Sequence, residues 1–350
     1  MKILVLGGTR FFGRYAVHLL VSRGHEVVVL SRGVTPFPFD DRVGHVRADR
    51  NSPGDVASSL SGETFDAVFD NSAMSGAAVQ EVLHVLSHPG KYVLTSSGAV
   101  YHGPGEPPLE ELSSGADHRD GYDPFANMHI LSEDDAPAKC GWLQKEISLE
   151  APGYRRGKLE AESVLVGVLG AGGIPNAILR PPQIEGPRDP TGRTEFFARR
   201  VGDGRGILLP EESRGGVFQK VFSGDLASAV VSILESESGF SGAFNVAGPQ
   251  IMTMERYCYG LAIILGVPRP EITYVPRELI RRRLGPNYSV PVPSPKIVST
   301  DRLETTFGFQ GTPYADWMGA TLRWIMSREV PRGYPAIRQR EIELMREYGS

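Results

Sequence analysis

The sequence has little cysteine, no long apolar run and no strong excess of one charge. Its two cysteines, Cys140 and Cys258, make no disulfide framework, so we expect a protein of the reducing cytoplasm. No apolar run approaches the roughly 18 residues that span a bilayer, and the N-terminal one is too short for a signal peptide. The net charge of −4 predicts neither a nucleic-acid nor a membrane partner. His102, His118 and His129 lack ligand spacing, so no metal is predicted.

The most informative segment that is present is the glycine turn GGTRFFG at residues 7–13. It follows the apolar run Lys2-Ile3-Leu4-Val5-Leu6 and precedes a helical pattern that starts near Tyr15. A buried strand, a glycine turn and an amphipathic helix in this order are typical of dinucleotide binding, because the helix N-terminus offers free N–H groups to phosphates. The cofactor contacts predicted at this turn are Gly7, Gly8, Thr9, Arg10, Phe11, Phe12 and Gly13.

Strands and helices alternate through the first half of the chain, which predicts an α/β fold with a doubly wound parallel sheet of the Rossmann type. After residue 180 the loops become rich in proline, which indicates a smaller C-terminal substrate-binding lobe. The predicted division gives residues 1–180 to the dinucleotide-binding domain, with 218–250 rejoining it and 102–153 as an acidic insertion, and residues 181–217 and 251–350 to the substrate lobe.

Tyr154 and Lys158 form the one Tyr-x-x-x-Lys pattern of the chain. One helical turn separates them, so both side chains lie on the same helix face, where an ammonium favours the ionised form of the neighbouring phenol. Ser96 and Ser97 follow a buried strand that ends at Thr95, which places their hydroxyls at the carboxyl edge of the sheet, where ligands bind. This order predicts a site for proton transfer to or from a carbonyl or alcohol.

With these motifs the chain resembles the short-chain dehydrogenase/reductase superfamily, and within it the extended and atypical branch called NAD-dependent epimerase/dehydratase. LTSSGAVYHG resembles the strand that presents the catalytic serine, and LRPPQIEGPRD, GDLA and FNVAG resemble later family landmarks. The resemblance implies that Tyr154 is the acid/base, that Lys158 holds the nicotinamide ribose, and that Ser97 polarises the reacting group, with Ser96 as its rival. The further cofactor contacts that it implies are Asp49, Arg50, Ser96, Lys158, Arg180 and Pro181.

Two departures from the family pattern narrow the range of reactions that we expect this chain to catalyse. The 4,6-dehydratase branch has Asp-Glu after its catalytic hydroxyl, whereas Gly98-Ala99 stand here. Nucleotide-sugar enzymes commonly carry an arginine for the substrate diphosphate seven residues before the landmark aspartate. Phe218 occupies that position here, with Arg214 or Lys220 as candidates to compensate.

The end of the second strand indicates which cofactor is used. NAD-preferring sites usually carry an acid there for the ribose diol, but this chain has Ser31-Arg32. Arg32, with Arg10 of the glycine turn, offers guanidinium groups for a 2′-phosphate. We therefore expect NADP(H) as the preferred cofactor, with NAD(H) as the alternative.

The acidic insertion 102–153 carries a net charge of −8 in a chain of −4. It is either a solvated surface loop or a wall that favours a cationic substrate such as an aminosugar, in which case Asp117, Asp120 and Asp123 contribute.

The sequence thus predicts an NADP(H)-dependent oxidoreductase that reduces a ketone or oxidises an alcohol on a sugar-like small molecule through a Ser-Tyr-Lys site, with an amine-bearing sugar as one option for the substrate. A nucleotide-sugar epimerase with tightly bound NAD is the second interpretation. A non-catalytic nucleotide sensor or RNA-associated protein is the third. The sequence leaves the oligomeric state open, a homodimer being one option.

Overall fold

A computed structural model describes residues 1–52, 54–86, 89–101, 133, 153–237, 239–293 and 296–348. Nearly all of the predicted acidic insertion therefore lies outside the described residues, and so do Asp117, Asp120 and Asp123. Cys140 and the three histidines considered as metal ligands lie outside them as well.

Strands and helices alternate along the described chain as the sequence pattern predicts. The strands are β1 Lys2–Leu6, β2 Glu26–Ser31, β3 Val43–Arg47, β4 Ala67–Asp70, β5 Tyr92–Thr95, β6 Asn176–Arg180, β7 Gln183–Glu185, β8 Ile207–Pro210, β9 Val217–Phe222, β10 Ser241–Asn245, β11 Ile251–Thr253 and β12 Ile272–Val275. The helices are α1 Phe11–Ser22, α2 Asp55–Leu60, α3 Gly76–Val85, α4 Gly153–Gly172, α5 Arg193–Gly202, α6 Ser223–Glu235, α7 Met254–Leu265, α8 Arg277–Leu284, α9 Asp301–Phe307, α10 Tyr314–Met326 and α11 Tyr334–Tyr348.

Within the described residues, seven parallel strands form one sheet in the order β10-β6-β5-β4-β1-β2-β3. The order reverses beside β1, so the crevice for a ligand opens at the carboxyl ends of β1 and its neighbours. This arrangement confirms the predicted fold class, a doubly wound Rossmann sheet.

Helices cover both faces of this sheet, which explains why its central strands are continuous apolar runs rather than alternating ones. On β1, Ile3 and Val5 join one hydrophobic core with α1 and α6. Leu4 and Leu6 point to the other face and join a second core with α2, α3 and α4. The two cores hold two helices against the sheet: α1, which follows the glycine turn, and α4, which carries Tyr154.

A second lobe is built around two small sheets, β11-β9-β7 and β12-β8. Phe218 on β9 joins the apolar core of this lobe, whereas Val221 on the same strand joins a core of the large sheet. Within the predicted return segment 218–250, β10 pairs with β6 in the large sheet, while most of β9 lies in the three-stranded sheet between the lobes. The domain division as a whole stays a prediction.

None of the helices in the described ranges is both long enough and apolar enough to cross a membrane.

Candidate active site

The glycine turn forms a cradle that side chains would fill. Gly7 has φ +87°, and a Cβ at Gly8 would stand 2.9 Å from a methyl group of Val17. A Cβ at Gly13 would overlap the carbonyl oxygen of Gly7, so the first turn of α1 packs directly on the turn. No side chain caps the N-terminus of α1, and no acidic residue lies in its first turn. The turn therefore fits the pyrophosphate of a dinucleotide.

Arg10 in the glycine turn adopts its conformation without backbone strain. Its φ of −133° and ψ of 156° are extended and open to any residue, and its side chain is exposed. The next residue, Phe11, has a φ of +47°, so the left-handed conformation falls on Phe11 rather than on Arg10. The guanidinium group of Arg10 is thus presented to solvent at the start of α1.

At the adenosine end, Asp49 and Arg50 follow β3. The Asp49 carboxylate accepts hydrogen bonds from the backbone and side chain of Asn51 at 3.0 and 3.2 Å. The Arg50 guanidinium instead turns inward and donates to Asp70 at the end of β4 and to Ser72. The Arg50 side chain therefore supports the wall beneath the predicted adenosine site, and contact between Arg50 and a cofactor stays a prediction.

Asp70 is a fully buried carboxylate that sequence reasoning missed. Burial alone would raise its pKa, but the charge and hydrogen bonds of Arg50, together with the Tyr92 hydroxyl, hold the pKa below its usual value. The network links the segment after β3 to the last residue of β4 and, through Tyr92, to the first residue of β5. A buried Arg-Asp pair has no periodic sequence signal, because Arg50 follows β3 and Asp70 ends β4, 20 residues further along the chain.

Tyr154 and Lys158 lie one turn apart near the start of α4, as predicted. The Tyr154 ring is 49% exposed, and the Lys158 Nζ lies 5.9 Å from its centroid. Lys158 is only 4% exposed, and its Nζ donates to the carbonyl oxygens of Ala73 at 2.9 Å and Thr95 at 2.8 Å. These carbonyls follow β4 and end β5, so the ammonium group lies at the carboxyl edge of the sheet.

Burial lowers the pKa of Lys158 to about 8, against the opposing effects of the Asp70 and Glu162 carboxylates. An amine that titrates in this range is poised to influence proton transfer near neutral pH.

The two serines after β5 have different environments. Ser97 is mostly buried, and its Oγ accepts a hydrogen bond from the Ala99 amide at 3.1 Å, which leaves its hydroxyl proton available to a ligand. Ser96 donates its hydroxyl to the buried Glu162. Arg155 donates to the carbonyls of Ala99 and Val100, so the start of α4 is anchored to the turn that carries Ser97.

Arg180 is committed to a buried ion pair. Its guanidinium contacts the Glu162 carboxylate at 2.7 Å and also donates to the carbonyl of Glu133. The neighbouring Pro181 carbonyl accepts from the Gly98 amide at 2.7 Å. Arg180 and Pro181 thus hold the floor of the predicted site through contacts within the protein.

A side chain at Gly98 would be tightly packed, because its Cβ would stand 3.2 Å from both the Pro181 carbonyl oxygen and the Pro182 Cα. An aspartate at this position, as in the 4,6-dehydratase pattern, would need the backbone to move.

The three residues considered in connection with a substrate diphosphate, Phe218, Lys220 and Arg214, all have contacts within the protein. Phe218 is buried in the second-lobe core, and Lys220 forms a buried ion pair with Glu185 at 2.6 Å. Arg214 is exposed and stacks on Tyr274 at 4.0 Å.

Two other polar side chains belong to segments that contact Gly98, the residue after Ser97, or directly follow such a segment. Lys296 donates to the Gly98 carbonyl at 2.8 Å, and the buried Oε1 of Gln183 has no hydrogen-bond partner among the described residues. Within the same residues, no group of three or more His, Cys, Asp or Glu side chains is arranged to hold a metal ion.

Both the sequence and the fold of this chain are similar to those of known proteins. Residues 3–86 match the model of the NAD dependent epimerase/dehydratase family. This part of the chain is therefore similar to members of that family. The family resemblance that the motifs indicate is thereby confirmed, over the segment that carries the glycine turn and the first four strands.

Two curated proteins illustrate the range of relatives. The chloroplast stem-loop binding protein of 41 kDa b from Arabidopsis thaliana is 29% identical over 291 residues, which is 79% of this chain and 67% of that protein. A 2-alkyl-3-oxoalkanoate reductase of Stenotrophomonas maltophilia is 42% identical over 77 residues, which is 22% of this chain and 23% of that protein.

Solved structures show the fold over nearly the whole chain. A Thermus thermophilus UDP-glucose 4-epimerase in complex with NAD superposes with a TM-score of 0.68 at 21% identity, covering 94% of this chain and 100% of that one. A Bacillus anthracis dTDP-glucose 4,6-dehydratase in complex with NAD also gives 0.68, at 14% identity, covering 94% and 97%.

Proposed function

We propose that the protein transfers hydride between NADP(H) and a keto or hydroxyl group of a sugar-like small molecule. The observation that carries this proposal is the position of Lys158, whose buried ammonium is held by the carbonyls of Ala73 and Thr95 one helical turn from Tyr154. A lysine with only a structural role does not require a tyrosine beside it at the sheet edge. A tyrosine that acts as an acid/base does benefit from a nearby cation, because the cation favours the ionised form of the phenol.

The bound nicotinamide supplies the hydride. In the reductive direction, Tyr154 donates its phenolic proton to the carbonyl oxygen of the substrate. Ser97, whose Oγ accepts from Ala99 and can donate to that oxygen, holds the carbonyl in place. Lys158 stabilises the tyrosinate that results.

A Tyr154→Phe variant tests the assignment. We expect turnover to fall about 100-fold or more, as for loss of a general acid, while the dissociation constant of NADPH is unchanged. Tyr348→Phe is the matched control, because Tyr348 is similarly exposed, at 46%, at the end of α11. The assay follows NADPH and NADH oxidation over a panel of keto-sugars, including amine-bearing ones. Turnover by Tyr154→Phe close to that of the native protein removes the proposal.

A nucleotide-sugar epimerase with tightly bound NAD is the second candidate, favoured by the likeness to a UDP-glucose 4-epimerase along the whole chain. The burial of Phe218 and the pairing of Lys220 with Glu185 speak against a diphosphate subsite at that strand. NAD retained through purification, with interconversion of nucleotide sugars and no net redox change, would favour the epimerase.

RNA association is the third candidate, and it rests on the likeness to a chloroplast stem-loop binding protein. Titration of the full chain with a stem-loop RNA at several salt concentrations tests it. Saturable binding that weakens steeply with salt would support this function.

A further inference from the structure

We infer that Arg47 and His45 on β3 complete a binding site for the 2′-phosphate of NADP(H), together with Ser31 and Arg32 on β2. This inference rests on the proposed use of NADP(H) and names the residues that select it. Arg47 is the principal phosphate-binding group, and His45 is a positioning residue for the Ser31 hydroxyl.

The strand register brings these residues to one edge. β2 and β3 are parallel, and Ser31 lies opposite Arg47 as the last residue pair of the ladder. Ser31 stands where NAD-selective sites usually carry a carboxylate for the ribose diol. Its Oγ lies 2.9 Å from the His45 Nε2 and 3.4 Å from the Gly33 amide nitrogen. The hydroxyl is therefore fixed at the end of β2 by its neighbours on both sides.

Gly33 makes room for the Arg47 side chain. A Cβ at position 33 would stand 3.2 Å from the Arg47 Nε and 3.3 Å from its Cδ. Gly33 also has φ +71°, which L residues rarely adopt. Arg47 thus lies across the residue that follows Arg32, and the two arginines border the same turn.

The charges around this turn leave it open to an anion. Arg32 and Arg47 are both exposed, and neither pairs with a carboxylate in the part of the chain that the structure describes. Of the acids near this turn in the sequence, Asp40 is bonded to Arg42, and Asp49 accepts from Asn51. Two exposed guanidinium groups that no carboxylate neutralises can bind a phosphate, which accepts forked hydrogen bonds from arginine.

The turn is also held in place before any ligand binds. Phe37, in the segment between β2 and β3, stacks on the His45 ring with a centroid separation of 4.0 Å and an interplanar angle of 10°. Phe39 packs edge-on against Phe37 and against His18 of α1. Burial and the charge of Arg47 lower the pKa of His45, so its ring is neutral at pH 7 and serves as a hydrogen-bond partner of Ser31. A preorganised site loses less free energy on binding.

The test measures binding of NADP⁺ and NAD⁺ to the full chain by calorimetry, because these two ligands differ only in the 2′-phosphate. We expect the native chain to bind NADP⁺ more tightly than NAD⁺. Arg47→Gln should weaken NADP⁺ about tenfold, as for loss of a charge-assisted pair of hydrogen bonds, and leave NAD⁺ within about twofold. Arg282→Gln is the matched control, since Arg282 is an exposed arginine of α8 outside this site, and both affinities should stay unchanged.

His45→Phe retains a ring to stack on Phe37 but removes the bond to Ser31. This variant should lower the preference for NADP⁺ over NAD⁺ about threefold, as expected for the loss of a neutral hydrogen bond. The inference is overturned if the native chain prefers NAD⁺, or if Arg47→Gln changes both affinities equally or neither. If NADP⁺ binding depends on Arg47 but no carbonyl compound is reduced, the phosphate site stands and the proposed reaction fails. If NADPH reduces a substrate while Arg47→Gln leaves the ratio unchanged, the reaction stands and this site fails.

Discussion

Gly157 lies so close to the carbonyl oxygen of Met74 that a Cβ at position 157 would overlap it. Gly157 immediately precedes Lys158, and Met74 immediately follows Ala73, whose carbonyl accepts from the Lys158 amine. The close approach of α4 to the segment after β4 is thus what brings the amine to the sheet edge. The glycine inside Tyr-Arg-Arg-Gly-Lys is a packing requirement of the site.

A Gly157→Ala variant should separate α4 from Met74 and withdraw Lys158 from its two carbonyl partners. We expect the free energy of unfolding to fall by about 1–3 kcal/mol, as for an overpacked contact, and turnover to fall with it. Gly167→Ala on the same helix is the control, because nothing lies within 4 Å of its Cβ position. That variant should be stabilised by about 0.5–1 kcal/mol. Urea denaturation measures both, and equal effects at the two positions would contradict the packing role of Gly157.

Stability should depend on pH through Lys158. Its pKa in the folded protein is lowered to about 8, against 10.5 for an ordinary lysine, chiefly by burial. Between these two pH values the unfolded chain binds the proton and the folded protein does not. The contribution of Lys158 to the free energy of unfolding therefore rises as the pH increases from about 8 to 10.5. The same loss of charge should lower kcat/KM for carbonyl reduction above pH 8, since Tyr154 loses its neighbouring cation.

Unfolding of the native chain and of Lys158→Met, measured from pH 7 to 10, checks this sign. The methionine side chain fills similar space without a titrating amine, so the difference between the two curves isolates the lysine. Parallel curves would show that Lys158 titrates with an ordinary pKa.

The buried carboxylate of Glu162 should matter far more than an exposed one on the same helix. Glu162→Gln leaves the Arg180 guanidinium buried without its counter-charge, which costs about 3–5 kcal/mol of stability. Glu160→Gln removes only the partner of Arg156 in a solvent-exposed pair, and a change of at most about 0.5 kcal/mol is expected. Chemical denaturation of the two variants gives the comparison, and similar losses would show that the Glu162-Arg180 pair contributes no more than a surface pair.

Local patterns in the sequence are sufficient to predict the large sheet. Apolar runs such as Leu4-Val5-Leu6 are long enough for strands buried on both faces, and the glycine turn between β1 and α1 fixes the first unit. Tyr154 and Lys158 are also predictable as neighbours, because helical spacing alone places them on one face.

The inward turn of two arginines was not predictable in the same way. Arg50 follows β3, and Arg180 is the last residue of β6. Side chains at such positions are often exposed and contact ligands, so the sequence predicts a cofactor contact for both arginines. Their partners, Asp70 and Glu162, are 20 and 18 residues away on other elements. Only the three-dimensional pairing shows that the guanidinium groups compensate buried carboxylates. Whether either arginine reaches a cofactor through its backbone stays a prediction.

The hydrogen bond from Lys296 to the Gly98 carbonyl joins residues 198 positions apart in the chain. Gly98 directly follows Ser97, and the amide of Val298, two residues beyond Lys296, donates to the Gln219 side chain. The turn that carries Ser97, the proposed substrate-binding hydroxyl, is therefore tethered to the last fifth of the polypeptide. An N-terminal fragment that retains the nucleotide fold would lack this restraint, so an engineered truncation or domain swap has to preserve the chain through at least Val298 to keep both hydrogen bonds.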